Sequence, residues 1–259
     1  MKKGKLITMK VYAIANQKGG IGKTTTALAI SSILTKKGYK TLLIDLDEQG
    51  NTTDTMKAEI EGKATIYDVL MGEHIPLKDA VQHNNGIDIV PSDPLLREAD
   101  ARLSQDTEGE FRMLNAVEGL SDYDYVIMDT APSLNLVLRN ALIAATDLII
   151  PVTTDRYAIQ GMSLLNDVIK AIKKRQNRNL NIAGLLIIKY NERTILGRDV
   201  EKSLDEIADI MNTKVFKTKI RESVKTREAQ AKRMNLIDYA PSSTTAIDYK
   251  HFIRELTGE

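Results

Sequence analysis

The fold is decided by the stretch Lys18-Gly19-Gly20-Ile21-Gly22-Lys23-Thr24-Thr25, which follows directly on the apolar run from Val11 to Ala15. A glycine-rich turn between a buried strand and a helix is typical of a phosphate-binding loop, because glycines let successive backbone N–H groups point at one anion. Lys23 is placed to reach the β- and γ-phosphates of a nucleotide, and the Thr24 hydroxyl to ligate Mg²⁺. We therefore expect residues 18–25 to bind a nucleotide.

This loop is a variant, because the usual pattern G-x-x-x-x-G-K-[ST] would place glycine at position 17. The chain has Gln17 there and carries a second lysine, Lys18, before the glycine pair. The ordinary cradle needs one ammonium group near the terminal phosphates. Lys18 could contact the phosphates of its own nucleotide, point into solvent, or reach a nucleotide held by a second subunit. The sequence leaves these alternatives open.

The rest of the chain alternates short apolar runs with helical patterns, which predicts an α/β fold with a mostly parallel twisted sheet and helices on both faces. Predicted strands cover 11–15, 41–45, 87–90, 125–129, 148–152 and 182–188, with a short one near Val215, and predicted helices cover 23–37, 159–175, 199–211, 227–234 and 244–256. The segment 51–86 shows no clear pattern. No linker or repeat interrupts the sequence, so we expect a single domain over 1–259, in which 1–8 form an extension that is either native or added.

Three aspartates fall at the ends of predicted strands: Asp45 and Asp47 after one, and Asp129 at the end of another. Ligands of an open parallel sheet gather at the carboxyl ends of its strands, so these side chains can converge on the phosphate loop. Phosphoryl transfer needs a metal ion, a positioned water and charge neutralisation. We expect Asp129, with Thr24, to serve the Mg²⁺ shell. Since aspartate is also common in turns, Asp45 and Asp47 could instead be strand-end turn residues.

Residues 15–26, Ala15-Asn16-Gln17-Lys18-Gly19-Gly20-Ile21-Gly22-Lys23-Thr24-Thr25-Thr26, resemble the deviant Walker A motif of the ParA family of partition ATPases. Segments 42–51 and 123–133 resemble that family's second motif and its Walker B and switch segment, and the likeness continues to the tail around Pro241. The resemblance implies a P-loop NTPase fold of the short, chromosomal Soj-like type. Because only about ten residues precede the first strand, we expect the chain to lack the N-terminal DNA-reading domain of the longer plasmid members.

The resemblance also implies an activity. In such an ATPase Asp47 positions the attacking water, Asp45 supports the loop and the metal shell, and Lys18, Lys23 and Asp129 complete the catalytic set. Residues 129–133 act as a switch that couples ATP to homodimer formation and hydrolysis to separation. The implied cofactors are ATP and Mg²⁺, hydrolysis is slow until a ParB-like centromere-binding protein stimulates it, and the protein acts in the cytoplasm on the nucleoid.

Charge distribution points to double-stranded DNA as a further partner. The chain has a net charge of +1, yet residues 156–235 contain 18 Lys and Arg against 9 Asp and Glu, which leaves −8 for the remainder. A local excess of cations is typical of sequence-independent phosphate contact, although a solvated helix face gives the same pattern. The resemblance favours Arg193. The family's second arginine normally follows a proline, but this chain has Ile220-Arg221-Glu222, so we expect the contact to be shared among Lys217, Lys219, Arg221, Lys225 and Arg227.

Composition excludes several classes. The chain has no cysteine, which excludes disulfide frameworks and cysteine-ligated metal centres. No apolar stretch approaches the roughly 18 residues of a membrane helix, so stable membrane association is not expected. Two alternatives remain: a MinD-like ATPase that cycles on a membrane surface through a C-terminal amphipathic helix, and a nucleotide-dependent interaction module that does not hydrolyse ATP. The mixed charge of residues 246–256 favours docking of that helix on the core.

Overall fold

A central sheet organises the computed structural model, which describes residues 9–72, 75–154, 160–191 and 196–259. Seven strands within these residues form it in the order β3-β4-β2-β5-β1-β6-β7. All neighbours are parallel except β3 and β4. The strands are β1 (Lys10–Ile14), β2 (Thr41–Leu46), β3 (Gln82–Asn84), β4 (Ile87–Val90), β5 (Tyr125–Thr130), β6 (Asp147–Thr153) and β7 (Asn181–Ile188).

Helices cover both faces of this sheet. They are α1 (Lys23–Lys36), α2 (Asn51–Met56), α3 (Ile66–Leu70), α4 (Ala99–Leu103), α5 (Arg112–Glu118), α6 (Leu136–Ala144), α7 (Gln160–Arg175), α8 (Leu196–Ile210), α9 (Val224–Ala231), α10 (Leu236–Tyr239) and α11 (Thr244–Thr257). Alternate strand residues serve opposite faces. Val11 and Ala13 pack with residues of α3 to α8, whereas Tyr12 and Ile14 pack with residues of α1 and α9 to α11. The predicted α/β class, with helices on both faces, is confirmed.

The C-terminal helix docks on the core, as its sequence predicted. Tyr249, Phe252 and Ile253 of α11 are at most 2% exposed and belong to the same cluster as α1. The hydroxyls of Tyr249 and Thr26 lie 3.0 Å apart in this buried contact and share a hydrogen bond. Helix α1, which follows the phosphate loop, is thereby packed against α11. In the part of the chain that the structure describes, no helix has the length and apolar character needed to cross a bilayer.

Two predicted elements differ from the structure. The strand predicted near Val215 is wrong: Val215 forms a single parallel bridge to Leu185, because only the Lys214 carbonyl and the Phe216 N–H bond to Leu185. The helix predicted over 227–234 begins earlier, at Val224, where the Ser223 hydroxyl caps it by accepting from the Lys225 N–H. The chain leaves that helix through Arg233, whose φ of 51° cannot continue a helix.

The strand order sets the position of the predicted site. Strand β5 lies between β2 and β1, so Asp129 is the register partner of both Asp45 and Ile14. The phosphate loop leaves the end of β1, which is one strand away from Asp129 on β5 and two strands away from Asp45 on β2. The predicted convergence of the loop and the aspartates therefore follows from the sheet topology.

Candidate nucleotide-binding site

The phosphate loop adopts an anion-binding conformation between β1 and α1. Gly20 and Gly22 have φ values of 67° and 90°, which a residue with a side chain rarely adopts. Gly22 is the N-cap of α1, no side chain caps this helix, and its first turn holds no acidic residue. The helix N–H groups and the positive end of its dipole are thus available to an anion. A Cβ added at Gly19 or Gly20 would meet nothing within 4 Å, so the space beside the loop is open.

Two side chains of the quoted motif, Asn16 and Ile21, hold this loop in place. Asn16 is 6% exposed, donates to the Pro151 carbonyl at 2.8 Å and accepts from the Lys18 N–H at 3.1 Å. Ile21 is 2% exposed and inserts into the core with α1. The loop is anchored at its start and its middle, which reduces the entropy that a bound phosphate would otherwise have to offset.

Lys23 is the best-buried cation of the site. Lys23 is 6% exposed, and its ammonium group donates to the Lys18 carbonyl at 3.3 Å. Burial lowers the pKa of Lys23, and the carboxylates of Asp129 and Asp47 oppose this shift. Within the described residues this buried ammonium makes one long hydrogen bond, to a carbonyl that it can exchange for phosphate oxygens.

Asp129 meets the requirements of a metal-shell carboxylate. The hydroxyls of Thr24 and Thr52 both donate to its Oδ2 at 2.7 Å. Its Oδ1 is buried and has no hydrogen-bond partner among the described residues. Burial raises the pKa of Asp129 to about 6, while the two threonine hydrogen bonds lower it. An orphaned acceptor beside the Thr24 hydroxyl fits a hydrated Mg²⁺, since buried polar atoms are normally satisfied.

Asp45 is completely buried, and both of its carboxylate oxygens accept hydrogen bonds from nearby residues. Its Oδ2 accepts from the Thr53 N–H at 2.8 Å and from the Thr53 hydroxyl at 2.7 Å, and its Oδ1 accepts from the Asp47 N–H at 3.2 Å. Burial and the neighbouring Asp129 raise the pKa of Asp45 to about 7, against the lowering effect of these hydrogen bonds. The predicted role of Asp45 is support of the loop and the metal shell, and the hydrogen bonds that both of its oxygens accept from the protein fit support of the loop.

Asp47 lies at the cavity wall, 8% exposed. Its Oδ1 accepts from the Gln49 N–H at 3.0 Å, and its carbonyl accepts from the Ser92 hydroxyl at 2.5 Å. Ser92 in turn donates its N–H to the Thr53 hydroxyl at 2.8 Å. Asp47 is therefore held in one place by a network that leads back to Asp45. Such a fixed carboxylate can orient a water molecule.

These groups open on one cavity of about 640 Å³. Gly19, Gly20, Gly22, Lys23, Thr24 and Thr25 line one side, together with Asp47 and Pro132 of the predicted switch segment. The lining also includes apolar residues that sequence analysis missed, because they come from distant segments: Ile188, Ile220, Met234, Leu236 and Tyr249. Polar residues of the same segments, among them Arg221 and Arg227, line the cavity beside them. A cavity lined by both phosphate-loop donors and apolar side chains suits a molecule with a charged end and a flat aromatic end.

A larger cleft of about 910 Å³ lies at the opposite edge of the sheet, where Lys10, Tyr125 and Asn181 begin or flank their strands. It contains none of the phosphate-loop residues. Volume alone does not identify the site, and the geometry of the loop and the aspartates places the chemistry in the smaller cavity.

The predicted DNA contacts have mixed surroundings. Lys219 and Lys225 form ion pairs with Glu201 (2.6 Å) and Glu228 (2.7 Å). Arg221 donates to both oxygens of Asp248, at 2.9 and 2.6 Å. Lys217 is exposed and Arg227 lines the nucleotide cavity. Arg193 lies outside the described residues.

The comparisons with known proteins agree with this geometry. A family model described as an AAA domain matches residues 9–182. The sporulation initiation inhibitor protein Soj of Bacillus subtilis is 35% identical over 253 residues, covering 95% of this chain and 98% of that protein. The chromosome partitioning protein ParA of Caulobacter vibrioides is 35% identical over 227 residues, covering 85% and 84%.

A solved structure is also similar. Cobyrinic acid a,c-diamide synthase from Mycobacterium smegmatis, with a bound ATP analogue and magnesium, superposes with a TM-score of 0.82 at 30% identity, covering 95% of this chain and 93% of that one. The sequence relatives, the matched model and the shared fold give one conclusion: the chain belongs to the ParA and Soj family of P-loop partition ATPases.

Proposed function

We propose that the protein is a Mg²⁺-dependent ATPase that forms an ATP-bound sandwich dimer, binds DNA without sequence preference and drives the partition of a plasmid or chromosome. The observation that carries the Mg²⁺ and ATP part of this proposal is the buried Oδ1 of Asp129, which lies beside Thr24 and has no hydrogen-bond partner among the described residues. Membership of the ParA and Soj family supplies the biological setting.

In the proposed reaction the loop N–H groups and Lys23 would hold the β- and γ-phosphates, and Thr24 and Asp129 would hold Mg²⁺. Mg²⁺, when bound, offsets the charge of the phosphate oxygens. Asp47 accepts a hydrogen bond from the attacking water and aligns it with the γ-phosphate. Because a carboxylate is a weak base, we expect slow hydrolysis until a ParB-like, centromere-binding protein stabilises the reactive arrangement.

The activity is tested by phosphate release and by binding of a fluorescent ATP analogue. Wild type is expected to bind ATP and to turn it over with Mg²⁺ but not with EDTA. Lys23→Ala is expected to lose ATP binding, and Asp47→Ala to keep binding but lose turnover. Equal, negligible turnover by wild type and Asp47→Ala would instead support an interaction module that does not hydrolyse ATP.

The proposed dimer assigns Lys18 to the nucleotide of the second copy, and a mixing experiment tests this. Each variant lacks one of the two side chains that turnover requires, since Lys18→Ala removes Lys18 and Asp47→Ala removes Asp47. Each variant alone is therefore expected to be inactive. A mixed dimer combines an intact Asp47 beside one nucleotide with a Lys18 that reaches it from the other copy. We expect mixing to restore turnover. If Lys18 serves only its own nucleotide, the mixture stays inactive.

The DNA part of the proposal rests on the cationic excess of residues 156–235 and on family membership. Co-sedimentation with ATP and either non-specific duplex DNA or anionic liposomes separates partition from a MinD-like cycle. We expect salt-sensitive retention on DNA. Retention on liposomes alone would favour the membrane alternative.

A further inference from the structure

Lys189 makes an unusual contact with the phosphate loop. It follows the end of β7, lines the nucleotide cavity, and donates from Nζ to the Gly20 carbonyl at 2.7 Å. Its backbone has a φ of 52°, in the left-handed region that a lysine rarely adopts. Residues held in this region are found preferentially at ligand clamps and active sites, because the surrounding structure must enforce them.

The neighbours of Lys189 enforce this conformation. Ile188 is 2% exposed, and its Cδ1 lies 3.1 Å from the position that a Cβ on Gly22 would occupy. On the other side, the Tyr190 N–H donates to the Ile220 carbonyl at 2.9 Å, and the Tyr190 carbonyl accepts from the Glu222 N–H at 3.2 Å. Lys189 is thus fixed between two anchored residues, with its side chain directed at the loop.

Because the peptide bond is planar, the contact between Lys189 and the Gly20 carbonyl also determines where the Ile21 N–H points. In a trans peptide the carbonyl of Gly20 and the N–H of Ile21 point in opposite directions, and no described peptide bond is cis. A cation that holds the Gly20 carbonyl on one side therefore fixes the Ile21 N–H on the other. The same hydrogen bond polarises the peptide, which makes that N–H a stronger donor.

We propose that Lys189 is a positioning residue of the phosphate loop: its ammonium group holds the Gly20–Ile21 peptide in the orientation that presents the Ile21 N–H to a bound phosphate. The inference deepens the proposed function and rests on it. On this proposal the left-handed backbone of Lys189 lowers the stability of the protein but favours nucleotide binding. Releasing the strain should therefore raise the stability of the apo protein and weaken its affinity for ATP.

Two substitutions test this with ATP titrations and apo melting curves. Lys189→Met keeps the length of the side chain and removes the donor. Because the Lys189–Gly20 contact is solvent-exposed, we expect the loss of one ordinary hydrogen bond, which is about fivefold weaker ATP binding, with little change in melting temperature. Lys189→Gly also removes the strain. We expect it to melt about 2 °C higher and yet to bind ATP about fivefold more weakly.

Lys57 provides the matched control, because it is a lysine with a φ of 56° that does not line the nucleotide cavity. Lys57→Gly is expected to raise the melting temperature without changing ATP affinity. Wild-type affinity in Lys189→Met would overturn the inference, as would a more stable Lys189→Gly that binds ATP normally. Absence of ATP binding by wild type would instead overturn the proposed function itself.

Discussion

The hydroxyl of Thr52 donates a hydrogen bond of 2.7 Å to Oδ2 of Asp129. Thr24 donates to the same oxygen, so the two oxygens of this carboxylate have different surroundings: Oδ2 is saturated by protein, and Oδ1 is left for a ligand. Thr52 belongs to none of the motifs recognised in the sequence, yet it orients the Asp129 carboxylate that we assign to the metal shell.

Removing this donor should weaken the response to magnesium. Thr52→Val keeps the shape of the side chain but withdraws a hydrogen bond that lowers the pKa of Asp129, so a larger fraction of the carboxyl becomes protonated. We expect the Mg²⁺ concentration for half-maximal turnover to rise about threefold or more. Thr52→Ser keeps the hydroxyl and is expected to behave as wild type. Identical Mg²⁺ curves for Val and Ser would show that Thr52 does not orient Asp129.

Asp45 and Asp47 should separate stability from catalysis. Asp45→Ala removes the acceptor of both Thr53 donors and of the Asp47 N–H. We expect unfolding to require about 2 kcal/mol less and turnover to fall at nearly constant ATP affinity. Asp47→Ala should lose turnover with little effect on stability. Urea unfolding and single-turnover kinetics measure both; a loss of ATP affinity in Asp45→Ala equal to its loss of turnover would contradict the assigned role.

Gly22 should not tolerate a methyl group. Gly22→Ala places a Cβ 3.1 Å from Cδ1 of Ile188 in a backbone with a φ of 90°. We expect about 1–2 kcal/mol lower stability and at least tenfold weaker ATP binding, because the loop must shift. Gly62→Ala, which has a φ of 67° and an open surrounding, is the control for strain alone. If both variants bind ATP equally well, the contact with Ile188 does not shape the loop.

Arg221 and Lys217 should differ in what they do for DNA retention. Arg221 is bound through two nitrogens to Asp248, whose side chain is 8% exposed, so Arg221→Ala leaves a carboxylate with fewer donors and should lower the melting temperature. Lys217→Ala should leave the melting temperature unchanged and reduce the salt dependence of DNA binding by about one unit of slope. An unchanged slope would remove Lys217 from the DNA surface.

Much of the fold could be predicted because buried parallel strands are apolar along their whole length. Strand β3 escaped prediction since its residues, Gln82, His83 and Asn84, are polar and lie at the sheet edge. The hairpin signal was nevertheless present: Asn85 and Gly86 have φ values of 52° and 76°, as a tight two-residue turn requires. Helices α2 and α3 have six and five residues, too few to show a helical period.

The candidate site was predictable only where one motif contains the chemistry. The phosphate loop is contiguous in sequence, and Asp45, Asp47 and Asp129 stand at strand ends. The sequence could not predict the roles of Thr52, Ser92 and Lys189, because their hydrogen-bond partners lie 77, 45 and 169 residues away along the chain. Such contacts depend on the strand order and on a left-handed turn, neither of which a local pattern can express.

The cavity wall joins Gly19 to Tyr249 and so draws on nearly the whole length of the polypeptide. During synthesis on the ribosome, the glycine loop emerges long before the helix that packs behind it, α11. A nascent chain therefore displays the motif without a complete pocket. We therefore expect nucleotide to bind only after the residues as far as Tyr249 have folded.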